Sequence, residues 1–432
     1  MGTLDVMTAG LVLAQGEWFW LSYSIESLVK TALVVGIMLG LVSYTVMAER
    51  RVSAAIQDRI GPNRTGVPLG GVRILGFTIP NFSLFGLGQP IADAVKFLFK
   101  EQFVPNHVNK PYFLLAPALA MLPAIITIAA VPYASIAPLI IPMAWAGFSD
   151  ITVYHPGVIA NIDTGIVFIF AITSLSVYGI TLGGWASNSK YSFLGGIRSS
   201  AQMISYEVAL GLSIIPAFLV FSQLNLSAVI DWQIQYGWLL FPWPWSPGFM
   251  MEDGSFDLAR WSMQLLLLPF LLLSFIIFLV SAFAETNRLP FDLPESETEL
   301  VGGYHTEYAG MRFALFFLGE YAAMIVTSCA MVTLFLGGWS LPIPYLNEVV
   351  ANPGWWQVGT WSGLLLQVVI FLGKMALFLL FFIWVRWTLP RFRYDQLMNL
   401  GWKVFLPLSC LNILAVAAII AVLTYWNGQP LS

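Results

Sequence analysis

Eight apolar runs, each about 20 residues or longer, recur along this chain and constrain its fold more than any other feature. They cover Ile25–Met47, Tyr112–Pro132, Asn161–Trp185, Met203–Gln223, Trp261–Ala284, Gly310–Leu336, Gly363–Trp387 and Lys403–Trp426. A helix of about 20 residues crosses a hydrocarbon core of about 30 Å while pairing its backbone polar groups internally. Of the 432 residues, 58% are hydrophobic and only 10% are charged, whereas soluble domains carry about 25% charged residues. The expected fold is therefore an all-α polytopic membrane protein, with residues 1–432 forming one transmembrane helical domain. Ile136–Trp145 is also apolar, but it is too short to cross and holds Pro138 and Pro142, which predicts a re-entrant or interfacial piece. No basic residue precedes Lys30 and no small-residue cleavage pattern follows a short apolar core, so the N-terminus is expected to be retained.

Basic residues give the orientation, because Lys and Arg collect in short loops on the cytoplasmic or matrix side. The segment 48–111 carries Arg50, Arg51, Arg59, Arg64, Arg73, Lys96, Lys100 and Lys110. With eight spans, Lys190, Arg198, Arg288, Arg312, Arg386, Arg391, Arg393 and Lys403 fall on the same side, and the opposite loops hold only Arg260. Both termini are thus expected on the outer side. The outer loops Val131–Ala160 and Leu224–Arg260 are rich in Pro and Trp, and Trp232, Trp238, Trp243 and Trp245 suit an interfacial belt.

Cofactor ligands are scarce. Cys329 and Cys410 cannot hold an iron–sulfur cluster, and His107, His155 and His305 fall in loops rather than as a pair within the membrane. No glycine-rich nucleotide loop or Walker motif occurs. Any electrons used here must come from a partner.

Ionisable residues are concentrated instead. Segment 285–309, between two spans, holds Glu285, Asp292, Glu295, Glu297, Glu299 and Glu307 against Arg288 alone, with Pro290 and Pro294 interrupting any long helix. Crowded carboxylates repel one another and gain proton affinity, which suits proton uptake; a plain solvated acidic face is the alternative. Glu207, Glu320 and Lys374 fall on spans, where each costs about 2.5–3.5 kcal/mol at the bilayer centre and so must face protein or water. Thr327 and Ser328 follow Glu320 at helical spacing and Gln367 precedes Lys374 likewise, marking an interior polar face. A structural ion pair or snorkelling near a helix end is the competing reading, above all for Glu207, which sits near the start of its apolar run. Glu26 and Lys30, at i and i+4, read as a local pair. In the basic segment, residues 89–100 predict a short amphipathic helix with proline in its first turn: Ile91, Ala94, Val95 and Leu98 form one face, Asp93, Lys96 and Lys100 the other. Such a helix lies in the interface, as an anchor or as the wall of a lipid-accessible pocket.

Five stretches, in order, carry a family resemblance: AERR with RIGPNRTG; GQPIADAVKFLFKE; WASNSKYSFLGGIRSSAQMISYEVALG; AETNRLPFDLPESETELVGGYHTEYAGMRFALFFLGEY; and PRFRYDQLMNLGWKVFLPL. Together they closely resemble the quinone-site membrane subunit of proton-pumping NADH:quinone oxidoreductase (respiratory complex I), known as the H-type subunit or subunit 1. The resemblance implies that this chain binds no cofactor itself, that FMN and iron–sulfur clusters reside in partner subunits, and that quinone is the substrate. It further implies that Arg64, Asp93, Lys96, Phe97 and Arg288 line or support the quinone entrance and tunnel. Glu285, Asp292, Glu295, Glu297 and Glu299 would form the tunnel's lower wall and the junction with peripheral-arm subunits. Glu207, Glu307 and Glu320 would begin a chain of buried ionisable groups leading to the pumping subunits. Arg288 and Arg64 serve equally as plain interface ion pairs. The implied partners are other complex I membrane subunits, the peripheral arm, the bilayer and quinone, not nucleic acid, and the implied location is the bacterial inner membrane, with the mitochondrial inner membrane as the alternative. The corresponding subunit of a membrane-bound hydrogenase or another-donor complex, or a stand-alone ion carrier, are the rival readings. The absence of inverted repeats weighs against a carrier.

Overall fold

The computed structural model describes residues 16–63, 73–74, 77–78, 86–141, 151–153, 156–244, 246–249, 256–294, 297–342 and 360–427. Eight helical segments among them are long and apolar enough to cross a membrane. The first is α1 (Gly16–Ile56). After the short α2 (Gln89–Phe99) comes α3 (Lys110–Thr127). The third crossing joins α4 (Gly165–Thr173) to α5 (Leu175–Ala186). Next come α6 (Lys190–Phe221), the short α7 (Leu226–Tyr236) and α8 (Leu258–Glu285). The turn-length α9 (Glu297–Leu300) precedes α10 (Met311–Phe335) and α11 (Trp361–Thr388). The last crossing runs through α12 (Tyr394–Asn399), a π-helical turn (Leu400–Phe405) and α13 (Leu406–Asn427).

Two short antiparallel hairpins interrupt this helical plan. β1 (Arg73–Ile74) pairs with β2 (Phe77–Thr78), and β3 (Leu139–Ile141) with β4 (Ile151–Val153). Within the described part of the Ile136–Trp145 stretch, expected as a re-entrant or interfacial piece, Leu139–Ile141 is a strand, whose β-branched residues suit a pleated ribbon.

Two helices extend beyond their apolar runs. α1 continues past Met47 through Glu49, Arg50 and Arg51 to Ile56. α6 begins at Lys190, thirteen residues before Met203, so Glu207 lies well inside the helix rather than near its start. The polar and glycine-rich sequence of 190–202 conceals this extension from hydropathy. Its small residues give it a packing role instead: a Cβ on Gly195 would lie 2.7 Å from the Tyr304 backbone nitrogen, and one on Gly184 would meet the Ser192 carbonyl at 2.6 Å. Between bilayer helices the hydrophobic effect is weak, so close approach at small residues supplies the attraction.

The tightest pairing of this kind joins α3 and α5. A Cβ on Gly179 would stand 2.4 Å from the Ala120 nitrogen, and one on Gly319 of α10 would stand 3.1 Å from the Ala120 carbonyl. α3 is thereby held from two sides, and it brings Ala120 and Ala124 to the interior cavity described below.

The interfacial helix α2 has the expected faces. Asp93 turns toward α1, where Arg50 donates to it at 3.0 Å, and Gln89 at the start of α2 itself donates to its other oxygen at 3.0 Å. Ile91, Val95, Leu98 and Phe99 are exposed. Lys96 and Lys100 are exposed too, so of the polar face only Asp93 turns toward the protein.

Gly179→Ala is expected to lower stability by about 1–3 kcal/mol, the usual cost of overpacking. Gly373→Ala, where a Cβ would meet nothing within 4 Å, should be neutral or slightly stabilising. Thermal unfolding midpoints of the two variants in detergent check this contrast.

Candidate functional site

The segment after α8 does not form an open loop. Glu285, Thr286, Asn287, Arg288 and Asp292 are all buried. Gln202 of α6 holds the segment from beneath, donating to the carbonyls of Ala284 (2.7 Å) and Phe291 (2.8 Å) and to Asn287 Oδ1 (3.2 Å). Asn287 takes a positive φ of 51°, which reverses the chain directly after the helix. On the far side Phe291 stacks on Phe392 at 5.3 Å, and the Phe392 amide donates to the Pro290 carbonyl. Arg288 and Asp292 are consequently aimed into the protein.

There they meet charges from three spans. Arg288 Nε lies 2.6 Å from Glu320 Oε1 of α10, and its Nη1 lies 3.4 Å from Glu49 Oε2 of α1. The guanidinium is 4.0 Å from the centre of the Tyr321 ring. Tyr321 donates its hydroxyl to Glu49 Oε2 at 2.5 Å, and Arg386 of α11 donates to the other Glu49 oxygen. Arg391 Nη2 is 3.2 Å from Asp292 Oδ2. Glu49, Asp292 and Glu320 thus balance Arg288, Arg386 and Arg391, leaving no net formal charge. Burial alone pushes the Arg288 guanidinium down, but Glu320, Tyr321 and Glu49 together raise it above its ordinary value, so it stays cationic. Removing one member of such a buried set strands a charge and costs about 3–5 kcal/mol.

A cavity of about 40 Å³ adjoins this cluster, lined among others by Glu285, Thr286, Asn287, Glu320 and Tyr304. That is room for at least one water molecule in a polar setting. Glu285 Oε2 is buried and has no hydrogen-bond partner among the described residues. Glu207 lies near enough to interact electrostatically with Glu285. Glu207 also borders an open groove of about 470 Å³ between α4 and α6, with Ser174, Phe170 and Gly211. Glu285 and Glu320 thus line the interior cavity, and Glu207 lines the groove.

Of the residues singled out from the sequence, Arg288, Asp292, Glu320, Glu285 and Glu207 converge here. The other residues go elsewhere. Glu299 is exposed and accepts from Arg198 at 2.7 Å on a short helix, α9, so Glu297 and Glu299 do not lie on an extended strand. Glu307 stands 3.9 Å from His107. Asp93, Lys96 and Phe97 are on α2, with the Lys96 ammonium 6.0 Å from the Phe97 ring. Arg64 and Glu295 lie outside the described residues. Sequence reasoning missed Glu49, Tyr321 and Arg386. Glu49 sits beside two arginines in a basic stretch and reads there as their local partner. Its signal is the extension of α1 beyond the apolar run, which carries the carboxylate into the bundle.

Comparison with known proteins agrees over nearly the whole chain. A family described as NADH dehydrogenase matches residues 29–417. An H-type NADH-quinone oxidoreductase subunit of Koribacter versatilis is 41% identical, covering 92% of this chain and 98% of its own length. NADH-quinone oxidoreductase subunit 8 of Rhodothermus marinus is 43% identical over 89% of this chain and 94% of its own. The H-type subunit of the Rickettsia typhi enzyme is 43% identical over 90% and 91%.

His305, within the acidic segment, is set against the rings of Tyr304, Phe313 and Phe317 at 5.0–5.9 Å. Burial pushes its imidazole down from 6.5 to about 4. Between those values the unfolded chain binds a proton that the folded chain does not, so stability falls as pH falls through this window, by up to about 3 kcal/mol. His305→Phe is expected to flatten that part of the curve, as measured by denaturation midpoints between pH 7 and pH 4.

Proposed function

Because this chain belongs to the NADH dehydrogenase family of membrane subunits of NADH-quinone oxidoreductase, an oxidoreductase complex, we propose that it forms the quinone entrance and tunnel and couples quinone reduction to proton translocation. The observation that carries this reading is the neutral set of three carboxylates and three arginines, with Glu49, Arg288 and Asp292 buried at its centre, beside an interior cavity.

Reduction converts a quinone, two electrons and two protons into a quinol. The electrons come from an iron–sulfur cluster of a peripheral-arm partner, itself supplied through FMN in another partner. This chain contributes charge and proton positions. At an effective dielectric of 20, a unit charge brought within 4 Å is worth about 4 kcal/mol. Negative charge developing on the quinone draws Arg288 and Arg386 away from Glu320 and Glu49. Glu320, left without its cation, takes up a proton, and Glu285 and Glu207 carry it toward the pumping subunits. Glu307, beside His107, supplies a proton to this series from the surface.

α2 and Arg64 flank the entrance. The outward apolar face of α2 admits an isoprenoid tail from the bilayer, while Asp93, Lys96 and Phe97 guide the headgroup. The peripheral arm docks on the segment 285–309, where Glu295, Glu297 and Glu299 meet it and Asp292 helps close the tunnel wall. In this arrangement 48–111 and 285–309 face the cytoplasm of a bacterium, both termini face the periplasm, and the chain is a multi-pass protein of the inner membrane. Other membrane subunits of the complex surround it.

Glu320→Gln and Glu49→Gln test this function in the assembled complex. NADH:quinone turnover and coupled proton uptake in inverted membranes are expected to fall at least tenfold, about 1.4 kcal/mol of barrier. Reduction of a water-soluble acceptor by the flavin arm should persist, which shows that the complex has assembled. Unchanged turnover and pumping in both variants would sink the proposal.

A further inference from the structure

Lys374 of α11 takes no part in the site above, yet it is buried at the opposite end of the bundle. Its ammonium donates to the carbonyls of Leu336 (2.7 Å), Gly338 (2.8 Å) and Ser340. The Trp238 ring covers it, with the nitrogen 4.2 Å from the ring centre. Three acceptors use all three donors of an ammonium. The counter-charge thus comes from carbonyl dipoles and an aromatic face, at the negative end of α10.

The turn after α10 is shaped for this contact. Gly337 and Gly338 have φ of 66° and 55°, the left-handed region that turns successive carbonyls inward. Cβ atoms there would collide with Trp238 at 2.6 Å and with Ile230 at 2.4 Å. Trp238 Nε1 donates to Ser340 Oγ at 3.0 Å, and Gln233 of α7 donates to the Thr333 carbonyl at 2.9 Å.

We propose that Lys374 is a remote positioning residue, fixing the axial register of α10 against α11 and so setting where Glu320 meets Arg288. The two helices are joined at two levels, directly at Lys374 and through Glu49 at the other, where Tyr321 of α10 and Arg386 of α11 both donate to its carboxylate. α11 contributes Lys374 at one level and Arg386 about 18 Å along its axis; α10 contributes the carbonyl turn at one level and Glu320 about 24 Å away. A hydrogen-bonded helix moves axially as a rod, so a slide at the turn reappears at the carboxylate. The 2.6 Å Arg288–Glu320 contact does not survive a shift of about 1 Å. The inference rests on the role given to Glu320 above.

Lys374→Met in the assembled complex, with turnover normalised to flavin content, is expected to lower kcat about fivefold, and in a Glu320→Gln background to add no further loss. An unchanged kcat, or losses that multiply in the double variant, would overturn it. If Lys374→Met fails to assemble, Trp238→Leu loosens the same turn, with an expected threefold loss under the same non-additivity rule. Hydrogen exchange separates this proposal from the reading of Glu320. Should Glu320→Gln alone leave turnover unchanged, that reading fails, but Lys374→Met must still accelerate exchange both at residues 337–340 and at residues 316–321. Acceleration confined to the turn overturns the positioning role.

Discussion

Charge must cancel where water cannot reach it, and the basic end of this bundle is organised around that requirement. Glu49 is the shared element, because one carboxylate from α1 receives Arg288, Arg386 and the Tyr321 hydroxyl together. No single pair among these groups neutralises the rest, so the spans that carry them must converge. The neutral sum makes the burial tolerable, and the crowding makes it responsive. A small change in local charge redistributes contacts among several partners rather than breaking one bond.

The remaining helices provide a rigid frame for this polar assembly. Gly179, Gly184, Gly195 and Gly319 bring backbones to within van der Waals contact of one another or of nearby turns. That closeness leaves an interior space with room for little more than water. The frame thereby restricts what can sit between Glu285 and Glu320.

Much of the architecture was legible in the sequence, because bilayer thickness imposes a length on every apolar run. All eight crossings follow from that rule, and the amphipathic α2 from the spacing of its apolar and charged residues. Hydropathy could not show where a helix continues beyond the hydrocarbon layer. The 190–202 portion of α6 reads as a polar linker, although its glycines and serines are packing surfaces. At the site, Arg288, Asp292 and Glu320 were conspicuous as charges in or beside apolar sequence, and Glu207 and Glu285 likewise. Glu49 and Arg386 were hidden among neighbouring basic residues. Tyr321 was hidden because tyrosine in a span is unremarkable until its hydroxyl is seen to reach a carboxylate. The fate of Glu307 and Glu299 was also beyond the sequence, since both meet side chains from segments far away in the chain, His107 and Arg198.

Chain separation gives the Glu49 hub one more consequence. Arg288 lies 239 residues after Glu49, and Arg386 lies 337 residues after it. At about 5–20 residues per second, the ribosome adds the last of these arginines tens of seconds after the carboxylate has left it. During that interval α1 holds an acid whose eventual neighbours do not yet exist. Its position on the helical extension, beyond the apolar run, lets it wait in the hydrated headgroup zone. Enclosure comes only when the seventh crossing arrives, so a nascent chain cannot complete its inner end before nearly all of it has been made.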